Sequence, residues 1–173
     1  MIDAIKQDTD KIFIALDTET TGLSPVYNEL IEVSAIKYKG KEMLNRFSTL
    51  IKPKKEIPYR ITQITGITNE MVKNAPTIEM VMPNLIEFIQ EYPIVAHNAS
   101  FDMGFLQVNS NYHFRKNRVI DTVRLSRRMH PELPNHKLGT VARYIGITEE
   151  GYHRAEFDCE CCAQIYMKYL GIG

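Results

Sequence analysis

The sequence predicts an α/β fold, a five-stranded mixed sheet flanked by helices. Three observations predict it. The run Ile12-Phe13-Ile14-Ala15-Leu16 is short, apolar and bounded by charge, as a strand buried on both faces must be. Further short apolar segments at 31–35, 47–51, 94–96 and 119–120 supply its neighbours. Between and after them, apolar residues recur with the period of a helix.

Taken in order, the buried strand comes first and belongs at the centre of the sheet. Ile31, Val33 and Ala35 alternate with polar residues, Lys39-Gly40-Lys41 marks a turn, and Phe47 to Ile51 return as a third strand, so the three read as a meander. After Pro53 and Pro58 the chain is expected to loop through Ile61-Thr62-Gln63-Ile64-Thr65-Gly66-Ile67. Ile78, Val81, Leu85, Phe88 and Ile89 follow a helical period, and Pro83 must kink that helix or lie near its start. Ile94-Val95-Ala96 reads as a strand feeding a helix that carries Phe101, Phe105, Val108 and Tyr112. Val119-Ile120 is the last strand. Two more helices are expected, one through Leu138, Val141, Ala142 and Ile145, the other through Ala155, Asp158, Cys162, Ile165 and Tyr169. With no internal repeat, low-complexity tract or linker, the expected organisation is one domain over residues 1–173.

Composition narrows the function classes. A chain of 173 residues that is 44% hydrophobic can bury one sizeable core. No apolar run approaches the roughly 20 residues of a membrane span, and Met1-Ile2-Asp3-Ala4-Ile5-Lys6 places an acid where a signal peptide is apolar. A cytoplasmic location is therefore expected. Cys159, Cys161 and Cys162 are too close in sequence to staple distant parts of a domain and lack a Cys-x-x-Cys zinc spacing, so they read as small buried residues in a reducing compartment. Lys plus Arg and Asp plus Glu are 21 each. Such a balance argues against a protein that coats long DNA through net charge, but not against one that grips a strand end locally. The basic clusters at Lys37, Lys39 and Lys41, at Lys52, Lys54 and Lys55, and at Arg124, Arg127 and Arg128 read mainly as solvated faces.

Three short motifs carry chemistry. In Asp17-Thr18-Glu19-Thr20-Thr21-Gly22, at the end of the central strand, alternation sends Asp17 and Glu19 to one face. Two adjacent carboxylates there repel each other unless one is protonated or a hard divalent cation lies between them. Taken alone, the motif fits a capped, solvated turn as well. His97-Asn98-Ala99-Ser100-Phe101-Asp102 follows the fourth strand and puts Asp102 in the first turn of a helix, where helix capping is the competing role. His153-Arg154-Ala155-Glu156-Phe157-Asp158 opens the last helix, with Asp158 about one turn inside it and His153 just before it. A histidine there, with an unperturbed pKa of roughly 6.5, suits a general base near neutrality, although an exposed helix-start histidine has the same local pattern.

In order, spacing and flanking residues the three motifs resemble the DEDDh class of 3′-to-5′ exonucleases, which includes the proofreading epsilon subunit of bacterial DNA polymerase III. In that class the first motif reads Asp-x-Glu, matched by Asp17 and Glu19; the second ends in Asp after His-Asn-x-x-Phe, matched by Asp102; the third is His, four residues, Asp, matched by His153 and Asp158. A sister subclass places Tyr where this chain has Arg154, so the histidine form is indicated. Ile64-Thr65-Gly66-Ile67-Thr68 and His136-Lys137-Leu138-Gly139 also look like this class, most of all the exonuclease domain embedded in Gram-positive-type replicative polymerases. The resemblance spans nearly the whole chain. It implies a ribonuclease H-like fold and a single exonuclease domain over 1–173. Two Mg²⁺ or Mn²⁺ ions are implied on Asp17, Glu19, Asp102 and Asp158, with His153 as general base.

The same resemblance implies contacts from Thr20, Leu23, Ile64, Thr65 and Phe101 to the terminal nucleotides, with Leu23 as a wedge between bases. Thr65 stands where the epsilon subunit carries histidine, which touches sugar and base preference. The expected partners are nucleic-acid 3′ ends, DNA before RNA, and a DNA polymerase. The alternatives are an exoribonuclease acting on short RNA and a non-catalytic module that binds nucleic acid or a polymerase. Of the other histidines, His97 is read as a structural or supporting residue, and His113, His130 and His136 as surface or packing residues.

Overall fold

The strand β1, Ile12–Thr20, runs through the middle of the sheet because its apolar residues have helices to bury against on both faces. The computed structural model describes residues 11–111, 114–147 and 154–172. β2, Leu30–Lys39, pairs antiparallel with β1, and β3, Glu42–Leu50, antiparallel with β2. On the other side β4, Ile94–Ala96, and β5, Val119–Asp121, run parallel to β1. The order is β3-β2-β1-β4-β5, the expected mixed sheet. Among the described residues no helix is long and apolar enough to cross a membrane.

Two helical layers sandwich the sheet. One face carries Ile14, Leu16, Val33 and Ile94 against α3, Ile78–Ile89, and α4, Ala99–Val108. The opposite face carries Phe13, Ala15, Ile36 and Val95 against α7, Ala155–Leu170, where Cys159, Cys162 and Tyr166 pack. All three cysteines are buried and form no disulfide, as their composition-based reading expected. The shorter helices are α1 (Tyr59–Thr65), α2 (Asn69–Val72), α5 (Thr122–Met129) and α6 (Leu138–Tyr144).

β1 continues to Thr20, so Asp17 and Glu19 lie within the strand, as their alternation requires. The structure departs from the sequence reading in three places. In β2 the polar residues do not face water: Glu32 and Ser34 are as buried as Val33 and Ala35, because α7 covers that side. The segment expected as a loop through 61–67 is largely helical. Its helix α1 starts after Pro58, whose fixed φ suits the entry, and stops at Gly66, where φ of 72° lets the Gly66 N–H donate to Thr62 O at 2.8 Å. Lastly, α5 was not expected, because Thr122 and Ser126 are its buried residues in place of an apolar stripe. Pro83 sits in the second turn of α3.

Candidate active site

The odd-numbered side chains of β1 face α7, so Asp17 and Glu19 emerge one strand period apart toward the first turn of that helix, which carries Asp158. One carboxylate oxygen from each of Asp17, Glu19 and Asp158 lies within 4.8 Å of the others. The even-numbered side chains face α4. From its first turn comes Asp102, 2% exposed, which accepts a 2.7 Å hydrogen bond from Thr18 Oγ1. The central strand thus collects carboxylates from helices on both faces of the sheet, at the carboxyl ends of the parallel pair β1 and β4, where α/β sheets hold ligands.

The route into α4 explains how Asp102 is aimed. After β4 the chain turns through Asn98 in the left-handed region, φ 66°, a conformation asparagine tolerates better than most residues. The Asn98 N–H donates to Asp121 Oδ1 at 3.0 Å, and the same oxygen accepts from Val123 N–H at the start of α5. One carboxylate therefore ties the entry of α4 to the end of β5.

Electrostatics within the cluster are unfavourable to the bare protein. Burial pushes the Asp17 carboxyl well up, and Asp102, Asp158, Glu19 and Glu32 each add to that. Glu19 is pushed to about 8 by burial, then by Asp158, Glu32 and Asp102, with Arg154 pulling the other way. Asp102 is raised to about 7 by burial, against the Thr18 hydrogen bond that favours its charged form. Hard oxygen donors this close, in a buried setting that disfavours their charged forms, fit a divalent cation, whose charge would offset both the burial and the repulsion.

The remaining predicted residues fall as follows. His153 lies outside the described residues; so does His113. Leu23 is 86% exposed on the loop after β1. That loop is closed by Asn28, whose Oδ1 accepts from Ser24 N–H at 3.0 Å, and a Cβ at Gly22 would meet the Asn28 amide at 2.6 Å and displace it from that bond. The Thr20 hydroxyl donates to Gly22 O within the same turn. Ile64 is exposed on α1, whereas Thr65 is buried with its hydroxyl committed locally, donating to Ile61 O and accepting from Ile67 N–H. Phe101 is half-buried, its ring 5.1 Å from that of Phe105.

His97 is fully committed to structure. Its Nε2 faces His136 O at 2.9 Å and so carries the proton, while Nδ1 lies 2.8 Å from the Thr122 hydroxyl. Burial lowers its pKa and keeps it neutral. His136 in turn bonds Ser126 Oγ at 2.7 Å, and His130 packs between Tyr144 and Tyr169. Sequence reasoning passed over two groups at the site, Thr18 and Glu32. The signal for Thr18 was its place between the two acids. For Glu32 there was a charge inside an otherwise apolar strand.

Comparisons with known proteins agree with this fold. The family described as exonuclease matches residues 14–166. The "DNA polymerase III PolC-type" of Clostridium perfringens is 41% identical over 167 residues, 95% of this chain and 12% of that protein. Its counterpart in Bacillus subtilis is 39% identical over 165 residues, 93% of this chain and again 12% of the relative. The chain thus spans about an eighth of the length of these relatives. Among solved structures, exonuclease X in complex with 5′ overhanging duplex DNA superposes with a TM-score of 0.77 at 26% identity, covering 92% of this chain and 91% of that one. The nuclease domain of 3′hExo, a DEDDh family member bound to rAMP, shares the fold with a TM-score of 0.78 at 20% identity, over 94% and 92% of the two chains. The chain belongs to the exonuclease family.

Proposed function

We propose that this chain is a metal-dependent 3′-to-5′ exonuclease domain that removes nucleoside 5′-monophosphates from single-stranded or frayed DNA ends, acting in the cytoplasm beside a DNA polymerase. The observation that carries the reading is the convergence of Asp17, Glu19 and Asp158 within 4.8 Å, with Asp102 delivered from the opposite face of the sheet. Two Mg²⁺ or Mn²⁺ ions on these four carboxylates would activate the attacking water and stabilise the departing 3′ oxygen.

The rest of the work falls to the chain. Asp17 and Glu19, held one strand period apart, would hold the cations, and Asp102 is kept in place by Thr18. His153 takes the proton of the attacking water; His97 is excluded from that role because both of its ring nitrogens are already engaged. Leu23, exposed on a loop locked by Asn28, would wedge between the last two bases, and Ile64 and Phe101 are the further apolar contacts that the family resemblance assigns to them. These contacts are apolar and tolerant of base identity, as removal of any terminal nucleotide demands. The similarity to PolC-type polymerases at about 40% identity supports DNA as substrate and a polymerase as partner.

The deciding experiment is digestion of matched DNA and RNA single strands, labelled at the 3′ or the 5′ end, with Mn²⁺. Immediate release of the 3′ label from DNA is expected, with a descending ladder from the 5′-labelled strand. Faster loss of RNA overturns the choice of DNA, and release of the 5′ label first overturns the polarity. His153→Ala should slow cleavage by about 10²-fold or more while strand-end binding persists.

A further inference from the structure

Four carboxylates at this end of the sheet have a task in the proposed reaction, and a fifth does not. Glu32 is 3% exposed and stands directly across from Glu19 in the β1–β2 register. A buried carboxylate facing another carboxylate is costly unless its charge is met by a partner and its lone pairs are filled. Both conditions are satisfied by one short stretch of chain. Arg154 Nη2 donates to Glu32 Oε1 at 2.6 Å, and Arg154 Nε lies 3.2 Å from both oxygens. The Ala155 N–H donates to Oε2 at 3.0 Å. Every one of these donors belongs to the start of α7.

That location gives the pair its leverage. Arg154 is the N-cap residue of α7, and the Asp158 N–H closes the first helical turn on Arg154 O at 3.0 Å. Arg154 also directly follows His153 in the chain. Glu32 sits on β2, hydrogen-bonded to the strand that carries Asp17 and Glu19. A forked guanidinium–carboxylate contact fixes direction as well as distance, which a single hydrogen bond does not. Stability alone does not explain such a pair, since apolar residues of similar volume generally serve as well or better.

We propose that Glu32 and Arg154 are positioning residues that clamp the first turn of α7 to β2, setting Asp158 at ligating distance from Asp17 and Glu19. The clamp also cancels the charge of the fifth carboxylate, so that the other four are matched by two divalent cations. The inference rests on the metal-dependent reading above, and it concerns how the ligand set is assembled.

The test uses the whole chain and Mn²⁺ itself as probe. Glu32→Gln, Arg154→Met and the double variant Glu32→Met with Arg154→Met are compared with the unaltered chain in thermal melting, in direct Mn²⁺ titration by electron paramagnetic resonance, and in single-strand digestion. Supporting residues around metal ligands typically change metal affinity about 10–100-fold, and a loss of that size is expected in each folded variant. Turnover should fall with it and recover as Mn²⁺ is raised, while KM for the oligonucleotide stays near that of the unaltered chain. A purely structural role would lower the melting temperature without this Mn²⁺-dependent recovery, and would overturn the proposal. The double variant keeps the test decisive if a single variant fails to fold, because it leaves no unpartnered charge. Mn²⁺ affinity unchanged in folded variants of a chain that digests DNA overturns the clamp alone. Mn²⁺ binding that depends on the pair in a chain that digests neither strand upholds the clamp and overturns the exonuclease reading.

Discussion

Asp17 concentrates the conflict between folding and chemistry in this chain. Its carboxyl is pushed up by burial and by four neighbouring acids, so the bare protein holds it at a cost that a cation removes. Asp17→Asn should therefore separate the two properties. Cleavage is expected to drop by at least about 10³-fold, since a metal ion contributes several kcal/mol to transition-state stabilisation. The melting temperature in EDTA is expected to rise, because an amide carries neither the burial cost nor the repulsion that the carboxylate does. Near-normal digestion by this variant in excess Mg²⁺ would contradict the assigned role. His97 shows the reverse pattern, a histidine next to a chemical motif that the fold has fully engaged. His97→Ala removes the donor to His136 O and one of the partners of the Thr122 hydroxyl, which keeps Ala96 O, and should destabilise by about 1–3 kcal/mol in urea unfolding. Its turnover, once folded, should exceed that of His153→Ala. The five catalytic candidates could be nominated from the sequence because each motif is local and the three occur in a definite order and spacing. Glu32 was not, since its meaning lies in a register partner 13 positions away and a guanidinium 122 positions away.

At the scale of elements, sequence pattern succeeded where apolar residues form an unbroken run or recur at helical spacing over several turns. The central strand, the helix from Ile78 and the long final helix all stand where the pattern placed them. It failed where tertiary packing buries polar residues, as in β2 and α5, and where a short helix is specified by its ends rather than its middle. Helix α1 is the case in point, entered at Pro58 and stopped at Gly66. A Cβ at Gly66 meets nothing within 4 Å, so the cost of Gly66→Ala is the left-handed backbone alone, roughly 1–2 kcal/mol. Chemical denaturation measures that loss directly. Because Ile64 sits on the last turn of α1, the same variant should raise KM for oligonucleotides more than it lowers kcat. An unchanged KM would remove α1 from the substrate surface.

For the whole molecule, the balanced formal charge conceals a local excess of negative charge around the site. Its consequence is a stability that depends on pH. Glu19 has a folded-state value of about 8 against an ordinary 4.5, and Asp102 about 7 against 3.8. For groups raised in the folded state, the favourable contribution is complete below the ordinary value and disappears as pH rises through the folded value. The metal-free protein should accordingly melt at progressively lower temperature from about pH 4.5 to about pH 8, and the stabilisation by added Mg²⁺ should grow over the same interval. Calorimetry across that range, with EDTA and with Mg²⁺, checks both trends. A melting temperature independent of pH in EDTA would show that burial and repulsion do not raise these carboxylates as described.

The sequence by itself determined the sheet's central strand, the mixed α/β class and the identity of the acidic motifs, because these depend on local period and short spacing. Only the tertiary structure decided that Glu32 faces Glu19 across the β1–β2 pair, that Thr18 holds Asp102 from the far face, and that Glu32 takes the start of α7. Those arrangements join residues 13 to 123 positions apart. A linear pattern records which groups are present, but their distances follow from how strands register and which helix covers which face, and the burial that raises their protonation follows from the same packing.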